Sequence, residues 1–325
     1  MEIFKLIYFY FNIYFFMGCG NSKENSEINP IQTINQNGIE EILCISKSEI
    51  IKILKNNNIA YITNNKIIIS PLTNIKNNPD KQIIIEIENF EIKNFIEFSK
   101  DKIITYGDKG FYIINLLFPN SFEIIDDFDE NEVGKISFIL ELNVDCFITV
   151  TENFAKIWIK HNDTYISYKE IEHPEKIENI LHIEDLIITN TKNGIYKWDL
   201  KQLNLIDKIE NIECNSLLFY LENNFIVVGR NEIVHLINFE NMKIVKDIII
   251  GKKGSIIKNI LYKSNNIYLI DVENMGISEW KIKEDEWERL SIRKENNIKL
   301  IGKSFDDKIL GFINENSMTR IIYIK

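Results

Sequence analysis

The sequence predicts an all-β protein, a ring of seven four-stranded sheets in which the N-terminal strand completes the last sheet. Three observations predict it. Apolar runs recur with a period of about 42 residues, the spacing of four-stranded propeller blades. A polar turn rich in Asn and Gly follows the same run in every unit. One spare strand precedes the first unit, and one is missing from the last.

Composition sets outer bounds. The chain has 325 residues, too many for one ordinary core unless the fold is repetitive. Its 38 basic and 48 acidic residues leave a formal charge of −10, a poor match for phosphate backbones, so nucleic-acid binding is not expected. Four cysteines in a chain this long make no disulfide framework. The hydrophobic fraction of 45% is that of a folded protein. Ala60 and Ala155 are the only alanines, while Ile, Asn and Lys abound. That skew reads as AT-rich coding sequence, so abundant Asn and Ile say little about function.

Residues 1–16 form a hydrophobic aromatic segment in which eight residues are Phe or Tyr. It falls short of the roughly 20 residues that span a bilayer, and Glu2 offsets the single Lys5 of a signal-like start. Met17-Gly18-Cys19-Gly20-Asn21-Ser22-Lys23 then fits the N-myristoylation pattern, provided translation starts at Met17. Residues 1–16 would in that case be upstream sequence. One myristoyl chain holds a membrane only marginally, and Cys19 beside Gly18 offers a palmitoylation site as the second signal. A bacterial lipoprotein box, Phe16-Met17-Gly18-Cys19 with the lipid on Cys19, is the alternative, and a chance match is the third reading. Residues 17–37 read as the anchor motif and a disordered linker, of which the polar stretch 20–37 can bury nothing, so the ring takes 38–325. The expected location is the cytoplasm or the cytoplasmic face of a membrane, or the cell surface on the lipoprotein reading.

Within each unit the clearest run begins at Ile59, Ile103, Cys146, Leu186, Phe225, Ile267 and Ile309, at intervals of 39 to 44. These runs are β-branched or aromatic and only four or five residues long, so they are strands. After them come Asn64-Asn65, Gly107-Asp108-Lys109-Gly110, Glu152-Asn153, Lys192-Asn193-Gly194, Arg230-Asn231, Glu273-Asn274 and Asn314-Glu315-Asn316. Asn and Gly tolerate the positive φ of tight hairpins. The preceding strands are Ile50–Leu54, Phe95–Phe98, Ser137–Leu140, Asn179–His182, Ser216–Leu221, Ile257–Leu261 and Leu300-Ile301. Ile39–Ile45 is then surplus at the start, and the seventh unit ends in its third run, Met318–Ile324. Pairing the surplus strand with that run closes the ring and removes exposed edges.

In three units the third strand ends in Trp158-Ile159, Trp198-Asp199 and Trp280-Lys281, while Pro71, Asn115 and Ile237 stand near that place elsewhere. Here the chain resembles the WD-repeat (WD40-like) family, whose blades end their third strand in Trp-Asp. Trp198-Asp199 is the one intact pair. The family's Gly-His pair is absent, and His161, His173, His182 and His235 follow no regular register. The resemblance covers 38–325 by period and implies that Trp158, Trp198 and Trp280 fill space between blades. It also implies ring faces that bind proteins or peptides. Kelch-type propellers share the geometry, but their paired glycines do not occur.

Catalytic motifs are missing. There is no G-x-S-x-G elbow, no His pair at metal spacing and no C-x-x-C. Gly251-Lys252-Lys253-Gly254-Ser255 has the wrong spacing for a phosphate loop. Asp126–Glu132 lacks the Gly and the final Glu of a calcium loop and reads as a solvated acidic loop. Cys44, Cys146 and Cys214 read as core thiols, and Asn162-Asp163-Thr164 as a sequon in a loop. The innermost runs are almost wholly apolar, unlike those of a propeller hydrolase or lyase. The expectation is a non-enzymatic interaction scaffold with no catalytic residue, cofactor or metal, binding proteins or peptides and held to a membrane by its acyl group.

Overall fold

Continuous apolar runs and alternating runs end up in different layers. The second strands, such as Lys102–Gly107 and Leu186–Asn190, are buried along nearly their whole length, because neighbouring sheets cover both their faces. Outer strands such as Leu205–Glu210 are exposed at every second residue or more. The computed structural model describes residues 39–46, 48, 50–56, 58–72, 82–99, 101–117, 121–212, 217–221, 225–264, 267–273, 275–283, 286–293, 298–303, 309–315 and 318–324. Gly18 and Cys19, and with them the whole anchor expectation, lie outside these residues.

The strands follow the chain in order. After β1 (Ile39–Ser46) come β2 (Ile51–Ile53), β3 (Asn58–Thr63), β4 (Lys66–Pro71) and β5 (Ile83–Ile85). The second sheet is β6 (Asn94–Glu97), β7 (Lys102–Gly107), β8 (Gly110–Leu117) and β9 (Ser121–Asp129), followed by the short helix α1 (Glu130–Val133). The third is β10 (Phe138–Asn143), β11 (Cys146–Val150), β12 (Phe154–His161) and β13 (Thr164–Glu172). The fourth is β14 (Asn179–Ile183), β15 (Leu186–Asn190), β16 (Gly194–Asp199) and β17 (Leu205–Glu210). The fifth is β18 (Leu217–Leu221), β19 (Phe225–Arg230), β20 (Ile233–Asn238) and β21 (Lys243–Ile249). The sixth is β22 (Ile257–Ser264), β23 (Ile267–Val272), β24 (Gly276–Lys283) and β25 (Glu286–Arg293). Finally come β26 (Ile298–Lys303), β27 (Ile309–Glu315) and β28 (Met318–Ile324).

Among the described residues these strands make seven four-stranded antiparallel sheets. Six are consecutive; in the seventh the order is β1-β28-β27-β26, so β1 occupies the fourth place. Ile39 pairs with Ile324 and Ser46 with Met318. The first strands of the sheets lie innermost, β6 beside β10, β14 beside β18, β18 beside β22 and β22 beside β26. β26 in turn neighbours β2, the first strand of the first sheet. Core clusters run between neighbouring sheets, as where Phe111 and Phe147 of sheets two and three share one.

A bulge recurs at the periphery. Opposite the third strand, Ile125, Tyr168, Ile206, Val245 and Leu290 are each an extra residue in the outer strand of sheets two to six. β1 carries the same irregularity at Ile42, between Glu41 and Leu43. Such bulges twist an outer strand and spoil its free edge as a template for another chain.

Two expectations need correction. The hairpins after β3, β7 and β19 do use positive φ, at Asn64, Asn65, Gly110 and Asn231. Those after β11 and β15 do not: an extra residue lets Thr151 N–H reach Phe154 O and Thr191 N–H reach Gly194 O, both at 2.9 Å, without it. The acidic run is no loop either. It is the end of β9 and α1, with Asp126 Oδ2 accepting Tyr165 N–H at 3.1 Å and Asp129 Oδ1 accepting Asn131 N–H at 2.8 Å.

Candidate functional site

Each tryptophan singled out in the sequence is buried between sheets. Trp158 lies against Phe111 and Phe128 of the preceding sheet, with ring centroids 5.4 and 4.8 Å away. Its indole N–H donates to Thr149 Oγ1 at 2.9 Å, and Trp198 donates to Thr189 Oγ1 at the same distance. Trp280 donates instead to Ser278 Oγ at 2.8 Å, on its own strand. A buried indole keeps its packing only if its N–H finds an acceptor. Where no Trp stands, cross-strand register puts Ile114 (rather than Asn115) and Ile237 at the equivalent place.

His173, which showed no register in the sequence, sits in the β13–β14 connection and is buried. Its Nε2 lies 3.1 Å from Thr189 Oγ1, and its Nδ1 accepts Glu175 N–H at 3.4 Å. Burial lowers its pKa, so the ring is neutral near pH 7 and, with Nδ1 accepting, carries its proton on Nε2. Trp198, Thr189 and His173 thus form one buried chain. The Thr nine residues before Trp, at Thr149 and Thr189, was a readable signal for it.

The innermost strands are not as apolar as they read. Glu97, Glu141, His182, Tyr220 and Tyr262 take the same register place on five consecutive inner strands. Each pairs with the second-strand residue that in turn pairs with the Trp position of its sheet. The carboxylates bind back to the preceding sheet. Glu97 accepts the Lys55 backbone N–H with both oxygens at 2.8 Å. Glu141 accepts Ser99 N–H at 3.0 Å and pairs with Lys55 Nζ at 2.8 Å. Lys52 donates to the carbonyl of Phe95. Burial, helped by Glu141 and Asp101, pushes the Glu97 carboxyl up to about 7 against the pull of Lys55. Burial likewise pulls the Lys52 amine down to about 7. His182 is lowered by burial, with Nε2 2.6 Å from Glu184 O.

Other sequence features settle into local roles. Glu232 accepts Gly254 N–H at 3.1 Å, so a carboxylate already occupies the basic loop that resembled a phosphate cradle. Cys146 is half-buried rather than a core thiol, and burial pushes it up to about 11, too high for a nucleophile at neutral pH. The side chains of Cys44 and Cys214 lie outside the described residues. No described group of His, Cys, Asp or Glu has metal-binding geometry.

No family model and no curated protein matches this chain. Solved structures do. The WD40 β-propeller domain of Doa1 is similar over 93% of this chain and 97% of that one, with a TM-score of 0.62 at 11% sequence identity. The fold is a β-propeller. At such identity the likeness concerns the fold alone, and a propeller hosts many unrelated functions. What this propeller adds is a channel end where Lys52, Glu97 and Glu141 of the inner strands tie the first three blades to one another.

Proposed function

We propose that the chain is a non-enzymatic protein-interaction scaffold, a WD40-like propeller of seven blades closed by β1. One observation carries the reading: in the first three blades, charged groups of the inner strands are spent on fastening blades. Glu97, Glu141 and Lys52 hold backbone groups of the neighbouring blade. Farther out, on the third strand of the fourth blade, Lys197 donates to Phe239 O of the fifth at 2.8 Å. A carboxyl whose oxygens are taken up by a neighbouring blade's backbone N–H is not turned toward a bound substrate, and general acid–base work needs that reach. What remains for recognition is the two ring faces, built from turns that differ blade by blade. The test is crosslinked capture of a protein partner, followed by charge replacements confined to one face, at Lys109 and Glu152, or to the other, at Asp145 and Glu184. Loss from one face alone supports the reading; equal loss from both, or hydrolase activity abolished by Glu97→Gln, overturns it.

The same proposal places the scaffold on a membrane through Gly18 and Cys19, a reading supported by the sequence pattern. A chain starting at Met17 is expected to fractionate with membranes and Gly18→Ala to release it. Retention of that variant overturns myristoylation. Mass measurement of the native N-terminus separates acylated Gly18, lipidated Cys19 and an intact Met1.

A further inference from the structure

Blades one to three are fastened at one end of the channel by a network that sets the carboxyls of Glu97 and Glu141 against one ammonium, that of Lys55. Lys55, in the β2–β3 turn, gives its backbone N–H to Glu97 of β6 and its ammonium to Glu141 of β10. Ser99, just past β6, gives its N–H to Glu141. Two carboxylates therefore hold three blades through one lysine and two amides. The charged groups facing Glu97 are Lys55 from the first blade, Glu141 from the third and Asp101 from its own β6–β7 turn. Lys52 binds the carbonyl of Phe95 two residues earlier on β6.

We propose that this network is an acid-strengthened clamp, in which a proton on Glu97 holds the channel ends of the first three blades together and its loss lets them part. With Glu97 protonated, Lys55 and Glu141 form a balanced pair. With Glu97 ionised, it faces the carboxylates of Glu141 and Asp101 while the Lys55 ammonium is already paired with Glu141, and like charges held that close repel. The least costly relief is for Glu97 or Glu141 to turn into water, which frees the Lys55 or Ser99 amide. The direction follows from linkage. Held closed, Glu97 titrates near 7; turned into water, it titrates at the ordinary value near 4.3. Opening therefore releases a proton and grows easier as pH rises from about 4.5 to 7, then levels off.

Hydrogen exchange followed by mass spectrometry tests it, on the whole chain, between pH 5 and 8.5 and corrected for intrinsic exchange. Peptides covering Lys55 and Ser99 are expected to lose protection by up to about tenfold per pH unit between 5 and 7, then no further. The outer hairpin of the fourth blade, where Leu200 N–H meets Asp185 O and Leu203 N–H meets Asp199 O, serves as control and stays flat. Glu97→Gln keeps both peptides protected at every pH. Glu141→Gln, which leaves Lys55 to Glu97 alone, moves the loss of protection to lower pH and shrinks it. A flat profile in the unaltered chain, or the same loss in Glu97→Gln, overturns the clamp.

Discussion

Thr189 accepts the indole N–H of Trp198 at 2.9 Å, and it does so while fully buried between the third and fourth blades. The same hydroxyl meets Nε2 of His173. Thr189→Val keeps the shape and removes the acceptor, leaving two buried donors without a partner. Each such orphan costs about 1–3 kcal/mol, and Thr189→Ser restores the oxygen. Denaturant unfolding should rank the valine variant well below the serine variant; equal stability of the two would dismiss the hydrogen-bonded chain as ornament.

Thr319 joins the two ends of the molecule. Its hydroxyl accepts Ser48 N–H at 2.8 Å and donates to Ser48 O at 3.3 Å, 271 residues away in sequence. Removing residues 38–47 takes away β1 and exposes the edge of β28, so the whole domain is expected to melt earlier in one transition. Thr319→Val should cost about 1–3 kcal/mol by orphaning the buried Ser48 amide. An unchanged melting temperature after the deletion would mean that the ring does not depend on its closing strand.

How much of this was legible depends on distance along the chain. The second strand and its turn sit side by side in sequence, so Ile59 through Ile309 showed a period directly. β1 was legible by counting, since Ile39–Ile45 had no place in the first blade and Met318–Ile324 had no partner after it. The bulges at Tyr168 and Ile206 were not, because a bulge exists only in the pairing of two strands. Glu97, Glu141, His182, Tyr220 and Tyr262 do recur at nearly the blade period, but they differ in residue type, and no single-residue pattern joins them. His173 was hidden because the lengths of the connections between blades vary.

Gly110 and Gly254 make a matched contrast. Both have positive φ, +119° and +87°. A Cβ at Gly110 would stand 1.8 Å from the carbonyl oxygen of Phe128, a backbone atom that cannot step aside, whereas at Gly254 nothing lies within 4 Å. Gly254→Ala should therefore cost only its backbone strain, about 1 kcal/mol. Gly110→Ala must also push β9 away from β8, on the order of 3 kcal/mol or more. Thermal melts of the two variants should differ widely, and a similar small shift for both would contradict the close β8–β9 approach.

Lys52 carries a pH dependence of opposite sign to that of Glu97. Burial pulls its amine down to about 7 from an ordinary value of 10.5, so the native chain disfavours the charged form. Between pH 7 and 10.5 the unfolded chain keeps the proton that the native chain has lost, and stability rises with pH across that window. Below 7 both states are protonated and the penalty is constant. The slope approaches about 1.4 kcal/mol per pH unit in the limit of one proton. Lys52→Met removes the charge and keeps much of the stem's contact with the Phe95 ring, 5.1 Å from Nζ to its centroid. Guanidinium unfolding of both chains from pH 7 to 10 should show stability climbing in the unaltered chain relative to Lys52→Met. Parallel profiles would mean that Lys52 reaches water and holds its proton throughout, and the hydrogen bond to Phe95 would then be that of an ordinary surface ammonium.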